Sequence, residues 1–505
     1  MKLLTDDIYD LRALKKYAII LGAFTVLSYL TRGYIFAVLP VMVFFAVSRG
    51  KLVDLLLWVM VLSFTGVSNP FIFPKTSMTF VIARLSLFAV AGILAFRVFG
   101  RRNALIVSPF IGVFFYIGWA AIVSLQGYEP IVSYLKIVLF IPIYIALYAV
   151  ANEITASTRV NAKAVRSAIL AIVSLVVFGS FALIPFPGLS QFHAFRAQDA
   201  AMAARMAAEG TSLFMGLTNQ PQALGPMLGV LLTVVFGDLV FSVKRWEPIY
   251  VALLGIGAVL LFKTSSRTGM GTFIAGIAMV MWLFSHARAV DTRWKGKVVS
   301  ALFLFGIVGF VAMLAVPKVR NKVLGFMLKV NTQNVEVQTS DITLENLSSS
   351  RQMLVESAWE NFKRKPFTGN GFQVSAEMQF EKRSTLMEYM SAPIEKGVWV
   401  TAILEEGGLM GFLLFAGFLV VCFALLVKRH AYIGAGALWV FAVVNLGEFN
   451  FFSMSYTGGF EWALVFAAVI LDGQRMKNVG LEVWEVPMEV VIEEVGMDEW
   501  VKRKA

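Results

Sequence analysis

The chain has 505 residues, of which 58% are hydrophobic and only 15% charged, and it carries a net charge of +12 with a mean hydropathy of +0.75. A soluble domain carries about 25% charged residues, so a soluble enzyme, a disordered chain and a secreted disulfide scaffold are excluded. The single cysteine, Cys422, lies in an apolar run, which excludes internal disulfides and thiolate metal clusters. The composition reads as an all-α, polytopic membrane helix bundle.

The basic excess does not point to nucleic acid. It lies in small groups at the ends of apolar runs, the positive-inside pattern, and a basic stripe with interleaved aromatics is absent. The opening stretch, Met1 to Lys16, is polar and reads as cytoplasmic. The apolar run after it lacks a small-residue cleavage site, so the first span is expected to be retained. A crossing helix needs roughly 20 residues. Apolar runs of that kind begin near Tyr17, Gly33, Leu52, Met78, Ala104, Pro130, Ala168, Gln222, Ile249, Gly269, Val298, Val398, Ala431 and Gly459, and several are short, giving about 12–14 transmembrane helices.

Alternating these spans from a cytoplasmic N-terminus brings the basic groups to one side. Arg49/Lys51, Arg97/Arg101/Arg102, Arg159/Lys163/Arg166, Lys244/Arg245, Arg288/Arg293/Lys295/Lys297 and Lys428/Arg429 all fall inside. The chain then divides into N-terminal helices (1–186), an outer loop (187–221), central helices (222–316), a large extracytoplasmic loop (317–396), C-terminal helices (397–471) and a cytoplasmic tail (472–505). In the large loop, Ser349 and Gln352 form a capping-box pattern, which places a helix start near Ser348 with Arg351 in its first turn. Apolar residues follow at helical spacing, Lys363, Arg364 and Lys365 suit the last turn, and Pro366 stops the helix before the turn Thr368–Phe372. In the tail, the acidic stretch Leu481–Val495, broken by Pro487, reads as solvated or loosely docked.

Four segments carry a resemblance. Arg351-Gln-Met-Leu-Val-Glu-Ser-Ala-Trp-Glu-Asn-Phe-Lys-Arg-Lys-Pro366-Phe-Thr-Gly369-Asn-Gly371-Phe372 resembles the loop signature of the O-antigen ligase and O-antigen polymerase superfamily. Glu405-Glu406-Gly407-Gly408-Leu409-Met410-Gly411 resembles the element after it. Leu217-Thr-Asn219-Gln-Pro-Gln-Ala-Leu-Gly225 resembles the Asn-centred lead-in to a middle span, and Ser266-Arg267 the Ser-Arg pair at the end of another. Order and spacing match from about residue 187 to 471. The resemblance implies an inverting, metal-independent glycosyltransferase without a cofactor, at the outer face of the bacterial inner membrane. Its donor would be a glycan on polyprenyl (undecaprenyl) pyrophosphate and its acceptor a second glycan, with membrane lipid around it and other polysaccharide-assembly proteins as further partners. Ligases of this family carry a histidine ahead of the Glu-Gly element. Here Glu395-Lys396-Gly397 fills that place, which tilts the expectation toward a polymerase. A ligase to a lipid or protein acceptor, a lipid-glycan flippase and a non-catalytic scaffold are the alternatives. Against a flippase, matched interrupted helices in two halves are absent from the sequence.

Such a reaction needs a cation on the pyrophosphate and a base for the attacking hydroxyl. Arginine suits the first task because its planar fork binds phosphate oxygens bidentately; a carboxylate or histidine suits the second. Arg267, with Lys263, lies in a short polar break between two apolar runs, where basic residues run against the positive-inside bias; snorkelling to the surface is the alternative. Arg196 and Arg205 lie on the Ala-rich stretch Phe195–Ala208, nine residues apart and so on opposite faces of a straight helix. Surface pairing with Asp199 and Glu209 is their plainer reading. Arg351 is a further cation, with Glu345 or Glu356 as ordinary partners. Glu395, Glu448 and His193 are the candidate bases, at least one of Glu405 and Glu406 is expected to be structural, and Arg84 and Lys136 read as buried pairing partners.

Overall fold

The computed structural model describes residues 9–74, 93, 106–157, 160–191, 214–242, 247–287, 316, 344–375, 396–454 and 457–478. Among the described residues there are fourteen α-helices and no strand. In chain order they are α1 Leu11–Leu30, α2 Val38–Ser48, α3 Leu52–Thr65, α4 Val113–Ser124, α5 Pro130–Ala156, α6 Ala162–Ala182 and the single turn α7 Pro187–Ser190. Then come α8 Pro221–Phe241, α9 Pro248–Thr264, α10 Arg267–His286, α11 Leu344–Arg364, α12 Trp399–Lys428, α13 Tyr432–Val444 and α14 Thr457–Asn478. Six of them (α1, α5, α6, α8, α10 and α12) are long and apolar enough to cross a bilayer, and the other apolar helices are shorter. The protein is a multi-pass, all-α membrane protein.

Local chemistry sets the boundaries. Proline opens α5, α8 and α9, where its missing N–H is not needed. Asp10, Asn161 and Ser266 cap α1, α6 and α10 by accepting from first-turn amides. Cys422 is buried within α12. The helix of the large loop departs from the capping-box expectation: α11 begins at Leu344, so Ser349 lies inside it and Arg351 ends its second turn. Gln352 donates to Glu356 at 2.9 Å, one turn onward, instead of reaching back to a cap. Arg364 is the last helical residue, ahead of Pro366 as expected.

α8 forms the axis. Its spanning window is fully buried, and it packs on α9, α10, α13 and α14. The α8–α10 seam is made of small residues, as suits helices that meet within a bilayer. A Cβ on Gly225 would lie 2.2 Å from Ser266 Cβ, one on Gly229 would lie 2.8 Å from Thr272 Cγ2, and one on Gly276 would lie 2.0 Å from Thr233 Oγ1. One end of the bundle is closed by charge: Arg166 on α6 holds Asp238 on α8 through two hydrogen bonds of 2.9 and 3.0 Å, and Tyr250 on α9 donates to the same carboxylate. At that end Asp472 on α14 accepts from the Gly434 amide at the start of α13.

The seam makes a stability prediction. A methyl at Gly269 would meet the Gly225 carbonyl carbon at 2.5 Å, whereas Gly271 has nothing within 4 Å. Gly269→Ala should lower stability by about 1–3 kcal/mol and Gly271→Ala should not. Thermal midpoints of the purified protein in detergent check this, and equal midpoints for the two variants would refute the seam.

Candidate functional site

α12 is 30 residues long and is not one helix throughout: Gly408 has φ 64° and ψ −166°, a conformation essentially reserved for glycine. The stretch after it, Leu409–Lys428, is about the 20 residues a bilayer requires. Breaking a helix strands backbone groups, which within or beside a membrane must find partners. The loop after α11 supplies them. Asn370 N–H donates to Glu405 O at 2.8 Å, Gly371 N–H to Glu406 O at 3.0 Å, and Leu409 N–H donates to Pro366 O at 2.8 Å. The approach is so close that Gly369, at φ 74°, has no room for a Cβ, which would lie 2.5 Å from the Glu406 carbonyl. Two of the four segments that carry the resemblance thus form one interlocked element.

Charge fixes the same joint. Lys396, 3% exposed, bridges Glu405 Oε2 at 3.1 Å and Glu406 Oε1 at 3.0 Å and donates to Val374 O at 2.7 Å. Asn361 of α11 donates to Glu405 Oε1 at 2.9 Å, Tyr116 of α4 to Glu406 Oε2 at 3.3 Å, and Trp119 to Gly407 O at 2.8 Å. Burial alone would lower the Lys396 pKa, but Glu405 and Glu406 outweigh it and raise the pKa, so the ammonium stays charged. Both glutamates thus take part in holding the joint. Lys136 on α5 is buried, and its ammonium donates to Gln373 O at 3.1 Å, anchoring the same loop; Arg84 lies outside the described residues.

The segments converge on one end of the bundle. Gly225 of the α8 lead-in touches Ser266. A Cβ on Gly447 would lie 2.6 Å from Thr268 Oγ1, which sets the turn carrying Glu448 beside the start of α10. Trp399 N–H, opening α12, donates to Asn445 O at 2.9 Å, and Asn219 N–H to Val67 O at 2.9 Å. Arg267 is the first residue of α10, half-buried, behind the Ser266 cap. Ser265 turns the chain there at φ 53°. Glu448 is half-buried, and Lys263 lies exposed in the last turn of α9. So Arg267 and Glu448 share a neighbourhood. Arg351 lies on α11, and His193, Arg196, Arg205 and Glu395 lie outside the described residues.

Sequence reasoning missed two residues. Lys396 was seen only as a neighbour of Glu395, because its partners are separated from it by a helix start. Glu461, in the first turns of α14, is 0% exposed, and neither carboxylate oxygen has a hydrogen-bond partner. Its signal was present: a lone carboxylate in an apolar run is costly and usually functional.

The joint predicts a large cost for removing its cation. Lys396→Met leaves two buried carboxylates facing each other and should destabilise by about 3–5 kcal/mol, while adding Glu405→Gln and Glu406→Gln to it should recover part of the loss. Unfolding in detergent measures both, and a wild-type midpoint for Lys396→Met would show that the bridge does not hold the joint.

Residues 251–416 match the family model described as O-antigen ligase; no curated protein matches the chain. The matched stretch runs from α9 to the span that follows the Gly408 break, and it contains Arg267, Arg351 and the interlocked loop. The family implies a glycosyltransferase-type enzyme working on lipid-linked glycans in a membrane. Over this stretch, about a third of the chain, the protein is similar to the O-antigen ligase family, which supports the O-antigen ligase and polymerase superfamily.

Proposed function

We propose that the protein is a polysaccharide polymerase that transfers a glycan from polyprenyl pyrophosphate to an acceptor glycan at the outer face of the inner membrane. The observation that carries this reading is the convergence of the four resemblance segments on one end of the bundle, with Arg267 and Glu448 in one neighbourhood. Orientation follows from charge. Lys163 and Arg166 at the start of α6, Lys428 at the end of α12, and Arg475 and Lys477 at the end of α14 lie toward the opposite end. The positive-inside bias assigns that end, and both termini, to the cytoplasm.

In this reading Arg267 clamps the pyrophosphate. Its guanidinium stays charged and binds phosphate oxygens in a fork, and the N-terminus of α10 adds its own attraction for an anion. Glu448 takes the proton of the acceptor hydroxyl as its oxygen attacks the anomeric carbon from the face opposite the leaving pyrophosphate, so configuration inverts. No metal is needed, because the arginine supplies the countercharge. Arg351, Arg196, Arg205 and Lys263 are further candidates for holding the carrier's phosphates or the glycan, and Glu395 and His193 are competing bases. The absence of histidine at 395–397 favours polymerase; the match to the O-antigen ligase family favours a ligase to a lipid or protein acceptor as the second reading.

Reconstituted protein supplied with a polyprenyl-pyrophosphate glycan should yield a ladder of products by gel and mass spectrometry, whereas a ligase yields single additions to its acceptor. Arg267→Ala should reduce transfer about 10²–10³-fold, the usual cost of one preorganised electrostatic contact. Intact donor with the wild-type protein across several donor and acceptor pairs would defeat the transferase reading, and lipid flipping in the same vesicles would then replace it.

A further inference from the structure

Beyond the Gly408 break, α12 carries an exposed apolar stripe. Leu409, Leu413 and Val420 stand out from the bundle at spacings that place them on one side of the helix. On a span of about 20 residues such a side faces hydrocarbon. α4 lies alongside, with Trp119 Nε1 donating to Gly407 O at 2.8 Å, and it exposes Ile122 and Leu125 at its end. The two helices therefore present one apolar surface, and its upper edge lies where Leu125 and Leu409 meet the loop after α11.

That edge is crossed by the turn from Lys365 to Thr368. Leu409 N–H donates to Pro366 O at 2.8 Å, and a Cβ on Gly408 would lie 2.3 Å from the Phe367 carbonyl carbon. Lys365 Nζ donates to Gln126 O, one residue past Leu125, at 2.8 Å. The turn is thus tied by measured contacts to the ends of both helices. From it the Phe367 side chain projects, 72% exposed, although its backbone is locked into the joint. Three cations lead into it. Lys363 pairs with Glu360 at 2.7 Å, Arg364 is exposed, and Lys365 uses one of its three donors on Gln126. The outward face of α11 is a different surface: Met353, 78% exposed, shares it with exposed Glu356 and Glu360, and carboxylates of this kind belong in water.

We propose that this turn is a seat for an anionic phospholipid of the surrounding leaflet, with the Phe367 ring against the acyl chain and Arg364 and Lys365 on the headgroup phosphate. Two features select this occupant. The exposed ring continues the hydrocarbon-facing surface of α4 and α12, and the cations stand on its water side, the order in which a lipid presents chain and phosphate. Apolar and aromatic side chains beside Lys and Arg are the combination that binds at the headgroup boundary, and basic residues there favour anionic lipids. The seat also touches the broken helix, because the backbone of Phe367 packs on Gly408. Lipid at this position bears directly on the joint that holds the outer loop to the span.

The test uses the full chain in nanodiscs of phosphatidylcholine and phosphatidylglycerol with no glycan donor, so its outcome is independent of the transferase reading. Cys422 is the sole native cysteine and is buried, so the wild type sets the labelling background. Phe367→Cys, Met353→Cys and Leu413→Cys, all at exposed positions, each carry an environment-sensitive fluorophore. The label at position 367 should be quenched by nitroxide-bearing phospholipid and shielded from aqueous iodide, as at position 413; the label at position 353 should show the reverse. A label at 367 as open to iodide as the one at 353 overturns the proposal. For the phosphate contact, nitroxide on phosphatidylglycerol should quench the label at 367 several-fold more than the same nitroxide on phosphatidylcholine. That preference should vanish on adding Arg364→Gln, and in about 1 M salt, where charges are screened beyond about 3 Å. Equal quenching by the two lipids at low salt, or a preference that Arg364→Gln leaves intact, overturns the assignment of the phosphate to these cations and with it the seat.

Discussion

Everything at this end of the bundle hangs on a stretch of backbone lying in the gap of a broken helix. α12 gives up its regular hydrogen bonding at Gly408, and Pro366, Asn370 and Gly371 replace what is lost with bonds of 2.8–3.0 Å. A membrane helix cannot leave such groups unmet, so break and loop are obligate partners; each would be unstable without the other. The buried Lys396–Glu405–Glu406 bridge then locks the pair. Lys365 adds a tie by donating to Gln126 O at 2.8 Å, and Tyr128 N–H bonds to Asn370 O at 3.0 Å. The loop after α11 is thereby attached to the turn between α4 and α5 as well as to α12.

This arrangement brings together the segments that carry the resemblance, which lie far apart in sequence. The pieces meet across one surface: the lead-in to α8 lies on Ser266, the start of α10 on Gly447, the start of α12 on Asn445, and the loop after α11 in the α12 break. Small residues recur at these contacts because backbones must approach closely there, and a side chain on Gly225, Gly269, Gly369 or Gly408 would collide with main-chain or buried atoms. The catalytic proposals for Arg267 and Glu448 draw on this convergence.

Helix positions, membrane class and the polar break at Ser266-Arg267 were legible in the sequence because hydropathy and capping are local properties. The start of α11 was not. A serine with a glutamine three residues on satisfies the capping pattern, but the chain is already helical from Leu344 and Gln352 reaches forward to Glu356. The joint was legible only as motifs: that Glu405 O would bond the Asn370 amide, or that Lys136 would hold the Gln373 carbonyl 237 positions away, depends on tertiary approach that no periodicity encodes. Glu461 gave a local signal, one acid in an apolar run, but its complete burial depends on the close corner that Gly458 and Gly459 permit.

The glycine seam between α8 and α10 has one more consequence. Arg267 begins its helix where the gap between the two helices closes to backbone distance, with Gly269 against Gly225 and Ser266 in the place a side chain on Gly225 would occupy. The backbone that carries this cation is thereby held in place from both sides. In the role proposed for Arg267, backbone dipoles fixed in advance would need no reorganisation when charge moves. The rigidity of two apolar helices, a property of the membrane-buried core, is thus passed directly to the electrostatics of a polar site at its edge.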